Sequence, residues 1–210
     1  MRVCSLGDLV LDVIVRLEQP LARGADARSR ITSGPGGQAA NVAAWVAHLG
    51  AEARWLGKRA DDAPGRLAAE GLAAHGVELA GPVETAGNGV VVSLVEPGGE
   101  RTMCPDRGVA TLLGADEIDA ADVDGCDWLQ VSGYALFEEP VASAATRAIA
   151  LARAAGARIG VDLASWSGIR DFGPERFRTR VRTIEPDVVF ANEDEDATIG
   201  GRWDGVAWIL

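Results

Sequence analysis

The residues best suited to chemistry lie in one glycine-rich stretch, Gly34 to Ala43, which leads into an alanine-rich apolar run. This pattern predicts a loop followed directly by a helix. Glycines let a ligand approach the backbone closely, and the free N–H groups of a first helical turn can point at that ligand. Asn41 lies in this turn, where its amide can donate to and accept from a polyhydroxylated molecule. Taken alone, the stretch is more typical of a structural turn and helix cap than of a ligand site.

Two aspartates follow the first apolar segment of the chain. Arg2 to Leu6 reads as a buried parallel strand, and Asp8 and Asp12 come after it. Side chains just past the carboxyl end of such a strand lie where open α/β sheets bind ligands. For Asp8 the sequence favours a structural role at the end of the strand, in a turn or a cap, over ligand binding.

The composition limits the classes of partner. The chain has 210 residues, of which 48% are hydrophobic, and a formal net charge of -11. This charge argues against nucleic acid or an anionic membrane as a partner, although helix N-termini and a metal ion could still attract phosphate. Three widely spaced cysteines without a CxxC pair predict reduced thiols in a cytoplasmic protein. The sequence shows neither a signal-type leader nor an apolar run long enough for a bilayer.

The elements that must position these residues alternate between strand and helix. This rhythm predicts an α/β fold with a doubly wound parallel sheet. The predicted helices are Gln38–Leu49, Ala63–His75, Leu112–Ile118, Val141–Ala154 and Pro174–Thr183. The predicted strands are Arg2–Leu6, Ala53–Leu56, Asp127–Ser132, Arg158–Leu163, Asp187–Ala191 and the beginning of one within Val206–Leu210.

Four further segments interrupt this rhythm with alternating or β-rich sequence. They are Val13–Leu17, Ala27–Thr32, Val90–Val95 and Arg101–Cys104. A turn at residues 97–100 joins the last two as a hairpin. The segments predict a small antiparallel sheet outside the main one. Such a sheet could cover a site, serve a structural role, or pair with a second copy.

Together these motifs resemble the ribokinase-like (PfkB) family of carbohydrate kinases, of which the chain corresponds to the N-terminal two-thirds. The family signature is a Gly-Gly pair, Asn, a small-residue helix, Leu-Gly-Ala and Gly-x-x-Gly-x-Asp-x-x-Gly. The matching residues are Gly36, Gly37, Asn41, Gly50, Gly57, Asp61 and Gly65. Ala60 departs from the pattern, since the family usually has glycine there.

The resemblance implies a substrate site for a sugar or nucleoside. Asp12 matches the family's sugar-binding aspartate, and an ionised carboxylate suits vicinal hydroxyl groups because it only accepts hydrogen bonds. Gly36, Gly37 and Asn41 would also bind substrate. Glu138 would be a further contact, although Glu139 is equally well placed. The small sheet, from about 12–34 and 89–106, would form a lid over the sugar and a possible homodimer contact.

A second implied site lies near the end of the chain. Asn192 and Glu195 match the family's Asn-x-x-Glu motif, which organises phosphate and Mg²⁺ largely through water. Glu195 would therefore act on the metal through water. The alternative is a helix N-terminus that carries acidic residues because they interact favourably with the helix dipole.

The resemblance implies ATP- and Mg²⁺-dependent phosphoryl transfer to a substrate hydroxyl. No catalytic residue is predicted, because the family's general-base aspartate lies in a Gly-Ala-Gly-Asp motif that does not occur in these 210 residues. We therefore expect one C-terminally incomplete ribokinase-like domain, either a fragment or a shortened homologue. The alternative function is that of a non-catalytic sugar-binding or regulatory homologue.

Overall fold

The computed structural model describes residues 1–21, 24–200 and 207–209, the last of these as backbone only. The strands in chain order are β1 (Arg2–Leu6), β2 (Val10–Leu17), β3 (Ser29–Gly36), β4 (Glu52–Leu56), β5 (Arg59–Ala60), β6 (Glu78–Ala80), β7 (Val83–Glu84), β8 (Asn88–Val95), β9 (Arg101–Gly108), β10 (Trp128–Ser132), β11 (Arg158–Asp162), β12 (Val188–Ala191) and β13 (Ala207–Ile209). The helices are α1 (Gln38–His48), α2 (Ala63–Ala74), α3 (Val141–Ala154), α4 (Trp166–Phe172), α5 (Pro174–Ile184) and α6 (Glu193–Thr198). None of these helices is long and apolar enough to cross a membrane.

Seven of the described strands form one parallel sheet in the order β13-β12-β11-β10-β1-β4-β6. The chain builds outward from β1 through β4 to β6, then returns to the other side of β1 and builds outward again. The order therefore reverses between β1 and β10. This confirms the doubly wound α/β fold, in which ligands bind at such a reversal, beyond the carboxyl ends of the strands.

The helices cover both faces of this sheet. On one face, α1 and α2 pack small side chains such as Ala40, Ala43 and Ala68 around the buried Trp55. On the other face, α3 and α5 bury a larger core that includes Phe177. Because alanine side chains are short, the helices lie close to the sheet, which fixes the start of α1 against the ends of the central strands.

A second, smaller sheet has the order β3-β2-β8-β9. Its outer pairs are antiparallel, whereas β2 and β8 in the middle are parallel. The sheet is therefore mixed, and the expectation of a wholly antiparallel one was wrong. The reason is the connection between β2 and β8, which runs through α1 and α2, and such a crossover can return the chain in the same direction.

Several local expectations differ from the structure. Residues Leu112–Ile118 do not form a helix, because short 3₁₀ turns at Val109–Leu112 and Ala115–Glu117 lie on either side of Gly114. The Glu117 carboxylate accepts from the Gly114 N–H and from buried Lys58, which holds the segment in place. Helix α4 and the β5–β7 pair were not predicted. The strand expected within 206–210 is present at β13, while positions 206 and 210 lie outside the described residues.

Candidate functional site

A cleft of about 900 Å³ lies between the small sheet, α1 and the carboxyl edge of the parallel sheet. Its polar lining includes Asp8, Asp12, Asn41 and Arg107. This volume is at the upper end of the range for small-molecule sites, about 300–1,000 Å³. The structure therefore brings Asp12 and Asn41, which belong to different elements of the chain, to the same cavity.

Asp12 projects from β2 into the cleft without a partner. It is partly buried, and its carboxylate accepts no hydrogen bond and makes no ion pair within the described residues. Burial raises the pKa of the Asp12 carboxyl above its ordinary value, because desolvation disfavours the charged form. A Cβ added at Gly36 would lie 2.1 Å from the Asp12 carboxyl carbon. Glycine at position 36 is therefore what leaves room for this carboxylate.

The start of α1 forms the opposite wall of the cleft. The residue at its N-cap position is Gly37, which has a φ of 98° and provides no side-chain cap. A Cβ there would lie 2.3 Å from the backbone oxygen of Asp8, so the glycine permits a close approach of two chain segments. Asn41 is exposed to the cleft, and its amide makes no hydrogen bond to another described residue.

One glutamine fixes the position of α1 over the point where the strand order reverses. Gln38 donates to Asp162 at the end of β11, with Nε2 and Oδ1 2.6 Å apart, and accepts from Ser132 at the end of β10. Burial raises the pKa of Asp162, while hydrogen bonds from Ala164 and Gln38 act in the opposite direction. No local sequence pattern signals this bridge, because Gln38 is 124 positions from Asp162 and 94 from Ser132.

Arg107 joins the small sheet to the parallel sheet. Its guanidinium binds the Asp8 carboxylate with two hydrogen bonds of 2.6 and 2.9 Å and also donates to the Tyr134 carbonyl. Only 9% of the Asp8 side chain and 18% of the Arg107 side chain are exposed. The expectation that Asp8 makes a turn or cap was wrong. The sequence could not reveal the pairing, because Arg107 stands in a turn-like Pro-Asp-Arg-Gly context.

The two glutamates that the sequence left as alternatives have different surroundings. Glu138 accepts from Arg107 at 2.6 Å and lies beside the cleft, without forming part of its wall. Glu139 accepts from the N–H and hydroxyl of Ser143 and so stabilises the start of α3. Of the pair, Glu138 is thus the one near the cleft, and its contact with substrate stays a prediction.

Asn192 and Glu195 are not part of the cleft. They form a reciprocal capping box at the start of α6, in which the Asn192 side chain accepts from the Glu195 N–H. The two Glu195 carboxylate oxygens accept from the N–H and the amide of Asn192. Burial raises the pKa of Glu195, and the nearby charge of Asp162 adds to this effect.

The residues around Glu195 do not fit a directly bound Mg²⁺. Both of its oxygens already accept hydrogen bonds, and residues 1–21 and 24–200 hold no cluster of three acidic, histidine or cysteine side chains that could ligate a metal. A role for Asn192 and Glu195 in binding phosphate, and contact of Glu195 with a metal through water, stay predictions.

Large apolar side chains complete the cleft. Trp45 on α1 is 64% exposed, and Met103 on the small sheet is 55% exposed. Both line the cavity, together with Ile14 and Leu49. Exposed apolar surface next to polar groups is typical of a ligand site. An aromatic ring beside hydroxyl-binding groups suits the apolar face of a sugar or a base.

The fold and the cleft define an α/β protein with a partly polar cleft, of the size of a small-molecule site, at the reversal point of its parallel sheet. The family model described as "pfkB family carbohydrate kinase" matches residues 1–203, and the chain therefore belongs to this family. This confirms the resemblance drawn from the glycine motifs.

The chain is also similar to individual proteins and solved structures. The chain is 34% identical over 202 residues to the ATP-dependent ribose-1-phosphate kinase of Halopiger xanaduensis, a match that covers 94% of this chain and 64% of that protein. The structure of adenosine kinase from Sinorhizobium meliloti superposes with a TM-score of 0.78 at 25% identity. The match covers 94% of this chain and 66% of the adenosine kinase chain. An E. coli structure described as a putative ribokinase II with ATP and Mg²⁺ has a TM-score of 0.79 at 19% identity, covering 96% and 65%.

Proposed function

We propose that this chain binds a sugar or nucleoside and that it belongs to an enzyme that phosphorylates a hydroxyl group of this substrate. The observation that carries the proposal is the Asp12 carboxylate, which is partly buried, faces the cleft and has no partner among the described residues. A desolvated acceptor without a donor is unfavourable unless a ligand supplies one. Two adjacent substrate hydroxyls would do so.

The other residues of the cleft fit the same substrate. Asn41, on the opposite wall, can donate to and accept from a hydroxyl, while Trp45 offers an apolar surface to the ring. The small sheet would act as a lid that limits water near the acceptor hydroxyl, so that water does not compete with it.

We propose ATP as the phosphoryl donor, used with Mg²⁺. The support comes from the relatives, one of which is called ATP-dependent and another of which was solved with ATP and Mg²⁺. Because the chain spans 64% of the ribose-1-phosphate kinase, the activity of a whole enzyme is part of the proposal. The cytoplasm remains the proposed location.

Binding tests the substrate site directly. Isothermal titration of the chain with neutral sugars, nucleosides, sugar phosphates and sugar acids should give binding by at least one class. Asp12→Ala should weaken it by roughly 10- to 100-fold, as expected for loss of a charged hydrogen-bond partner. Glu70→Gln removes an exposed carboxylate on α2 and is the matched control. Equal affinity in wild type and Asp12→Ala would show that the site is misplaced.

A coupled ADP-release assay with the same panel separates the enzyme from the binding-protein alternative. The assay is performed on the 210-residue chain and on the product of the whole open reading frame that contains it. Turnover that depends on Asp12 supports a kinase. Binding without turnover in either protein favours the sugar-binding or regulatory homologue.

A homodimer through the small sheet is a further part of the proposal. The exposed Ile31 on edge strand β3 supports it, because an edge strand can pair with another chain. Sedimentation should give a mass of two chains, and Ile31→Lys should reduce it to one. A monomer at all concentrations would contradict the dimer and leave the kinase proposal intact.

A further inference from the structure

Three arginines of the small sheet lie in one row that runs across its strands. Arg16 on β2 lies directly opposite Arg30 on β3, and Val95 on β8 joins Arg16 to Arg101 on β9 in the same row. Directly paired residues share a face of the sheet. Arg16 and Arg101 line the cleft, so this row of arginines lies on the face that covers it.

Few carboxylates neutralise this row. Arg30 pairs with Glu18, with Nε and Oε1 3.2 Å apart. Arg16 and Arg101 make no ion pair, hydrogen bond or ring contact with any residue that the structure describes. Like charges placed opposite each other on neighbouring strands are destabilising. The facing Arg16 and Arg30 are therefore mutually unfavourable, and within the described residues only Arg30 has a carboxylate partner.

Protection of the sheet edges does not account for the row. Charged side chains on edge strands prevent unwanted pairing, and this could explain Arg30 on β3 and Arg101 on β9. Arg16, however, lies on the inner strand β2 and points into the cleft. The whole chain has 31 acidic against 20 basic residues, yet Arg16 and Arg101, both exposed at the cleft, have no carboxylate partner among the described residues.

We infer that the substrate carries an anionic group, a phosphate ester or a carboxylate, which Arg16 and Arg101 bind while Asp12 holds the sugar hydroxyls. This inference rests on the proposed function and narrows its substrate class to sugar phosphates and sugar acids. Guanidinium groups bind both anions well, because their N–H groups match the spacing of two anionic oxygens.

The dimensions of the cleft fit such a substrate. Asp12, Ile14 and Arg16 follow each other on one face of β2, so the two charged ends are about 13 Å apart at Cα, at roughly 3.3 Å per residue. Long arginine side chains can reach back over part of this distance. The cavity of about 900 Å³ holds more than one sugar ring. An anionic sugar would thus span from the hydroxyl-binding end to the arginine row.

Calorimetric titration of the chain with matched ligands tests the inference. The neutral ligands are D-ribose and D-fructose, and the anionic ligands are D-ribose 5-phosphate, D-fructose 6-phosphate and D-gluconate. We expect tighter binding of an anionic ligand than of its neutral counterpart. The advantage should diminish as salt is added, because ions screen exposed charges. Comparison of the phosphate esters with gluconate identifies which anion is preferred.

The double variant Arg16→Gln with Arg101→Gln should bind the anionic ligand roughly 10- to 100-fold more weakly while its affinity for the neutral sugar is retained. Arg147→Gln, an exposed arginine on α3 without a partner in the described chain, is the matched control and should change neither affinity. Thermal unfolding of the double variant should occur no lower than that of the wild type, because the variant relieves repulsion.

Four outcomes would overturn the inference. Equal affinity for neutral and anionic ligands would do so, while leaving the proposed function in place. A loss of both affinities in the double variant would show a structural role for the arginines. Displacement of the sugar phosphate by an equal concentration of inorganic phosphate would show an unselective anion site. Binding of neither class would remove the proposed function as well.

Discussion

The arginines at the two ends of the small sheet have opposite surroundings. At the end nearest the parallel sheet, Arg107 is mostly buried and its donors are taken by Asp8, Glu138 and the Tyr134 carbonyl. At the far end, Arg16 and Arg101 face the cleft without partners in the described chain.

This difference distinguishes charged side chains that stabilise the fold from charged side chains that are available to bind a ligand. A buried ion pair with several hydrogen bonds fixes the position of a sheet, because removal of one partner leaves the other charge desolvated. An unpaired charge at a cleft adds little to stability and is available to a ligand. Asp12 belongs to this second group, although it lies closer to the paired end.

Arg107→Ala should destabilise the protein most. It leaves the buried Asp8 carboxylate without its two hydrogen bonds, and we expect a loss of about 3–5 kcal/mol in the free energy of unfolding. Urea denaturation measures this change. Arg66→Ala, which breaks the exposed pair with Asp61, is the control and should cost about 0–1 kcal/mol. Similar losses in both variants would contradict a structural role specific to Arg107.

Gly36→Ala should displace Asp12 and so weaken ligand binding in the cleft. The new methyl group would overlap the Asp12 carboxyl group, which must move, and overpacking of this kind costs about 1–3 kcal/mol. We expect ligand affinity to fall at least roughly tenfold, since Asp12 would leave its position. Gly34→Ala on the same strand meets no atom within 4 Å and is the control. Calorimetric titration of both variants should show a loss in the first only.

Asn192→Ala removes a side chain that is hydrogen-bonded to Glu195 and lies outside the cleft. It removes the cap of α6 and should cost about 1 kcal/mol of stability. Sugar affinity should not change, because neither Asn192 nor Glu195 lines the cleft. Denaturation and titration of the same preparation measure both quantities. A large loss of sugar affinity would place the α6 terminus at the substrate site.

Asp12→Asn should give the smallest effect on stability, with the opposite sign. Burial raises the pKa of Asp12, so the ionised carboxylate destabilises the folded protein as pH rises through that pKa. The variant should therefore be slightly more stable than wild type at pH 7, and this advantage should vanish below about pH 3.9, the ordinary pKa of aspartate. Thermal unfolding across this pH range provides the measurement. A less stable variant at pH 7 would indicate a structural role for Asp12.

The fold was largely predictable because the signals for its elements are local. Helix α3 was expected at its observed bounds, since an alanine-rich amphipathic run ends at Gly156. The β-strand segments of the small sheet were also recognised. The direction of β2 relative to β8 was not, because it depends on the path of α1 and α2 between them. The 3₁₀ turns near Gly114 depend on the distant Lys58, which no local pattern reveals.

The site was predictable only in part. The glycines and Asn41 stand in a contiguous motif, and Asp12 was proposed through the family resemblance; Gly37, Asn41 and Asp12 all line the cleft. The Arg107–Asp8 pair and the Gln38 bridge join residues 99 and 124 positions apart, so only the folded chain shows them. The row formed by Arg16, Arg30 and Arg101 likewise depends on strand register, which the sequence does not specify across a mixed sheet.

The most direct measurement is a crystal structure of the chain with the ligand that it binds most tightly in the titration panel. We predict two ligand hydroxyls within hydrogen-bond distance of the Asp12 carboxylate, about 2.5–3.0 Å, and an anionic group on Arg16 and Arg101. Arg107 should keep its bonds to Asp8. A ligand bound elsewhere, or one in the cleft that leaves Asp12 without a partner, would contradict the assignment of Asp12 to the substrate site.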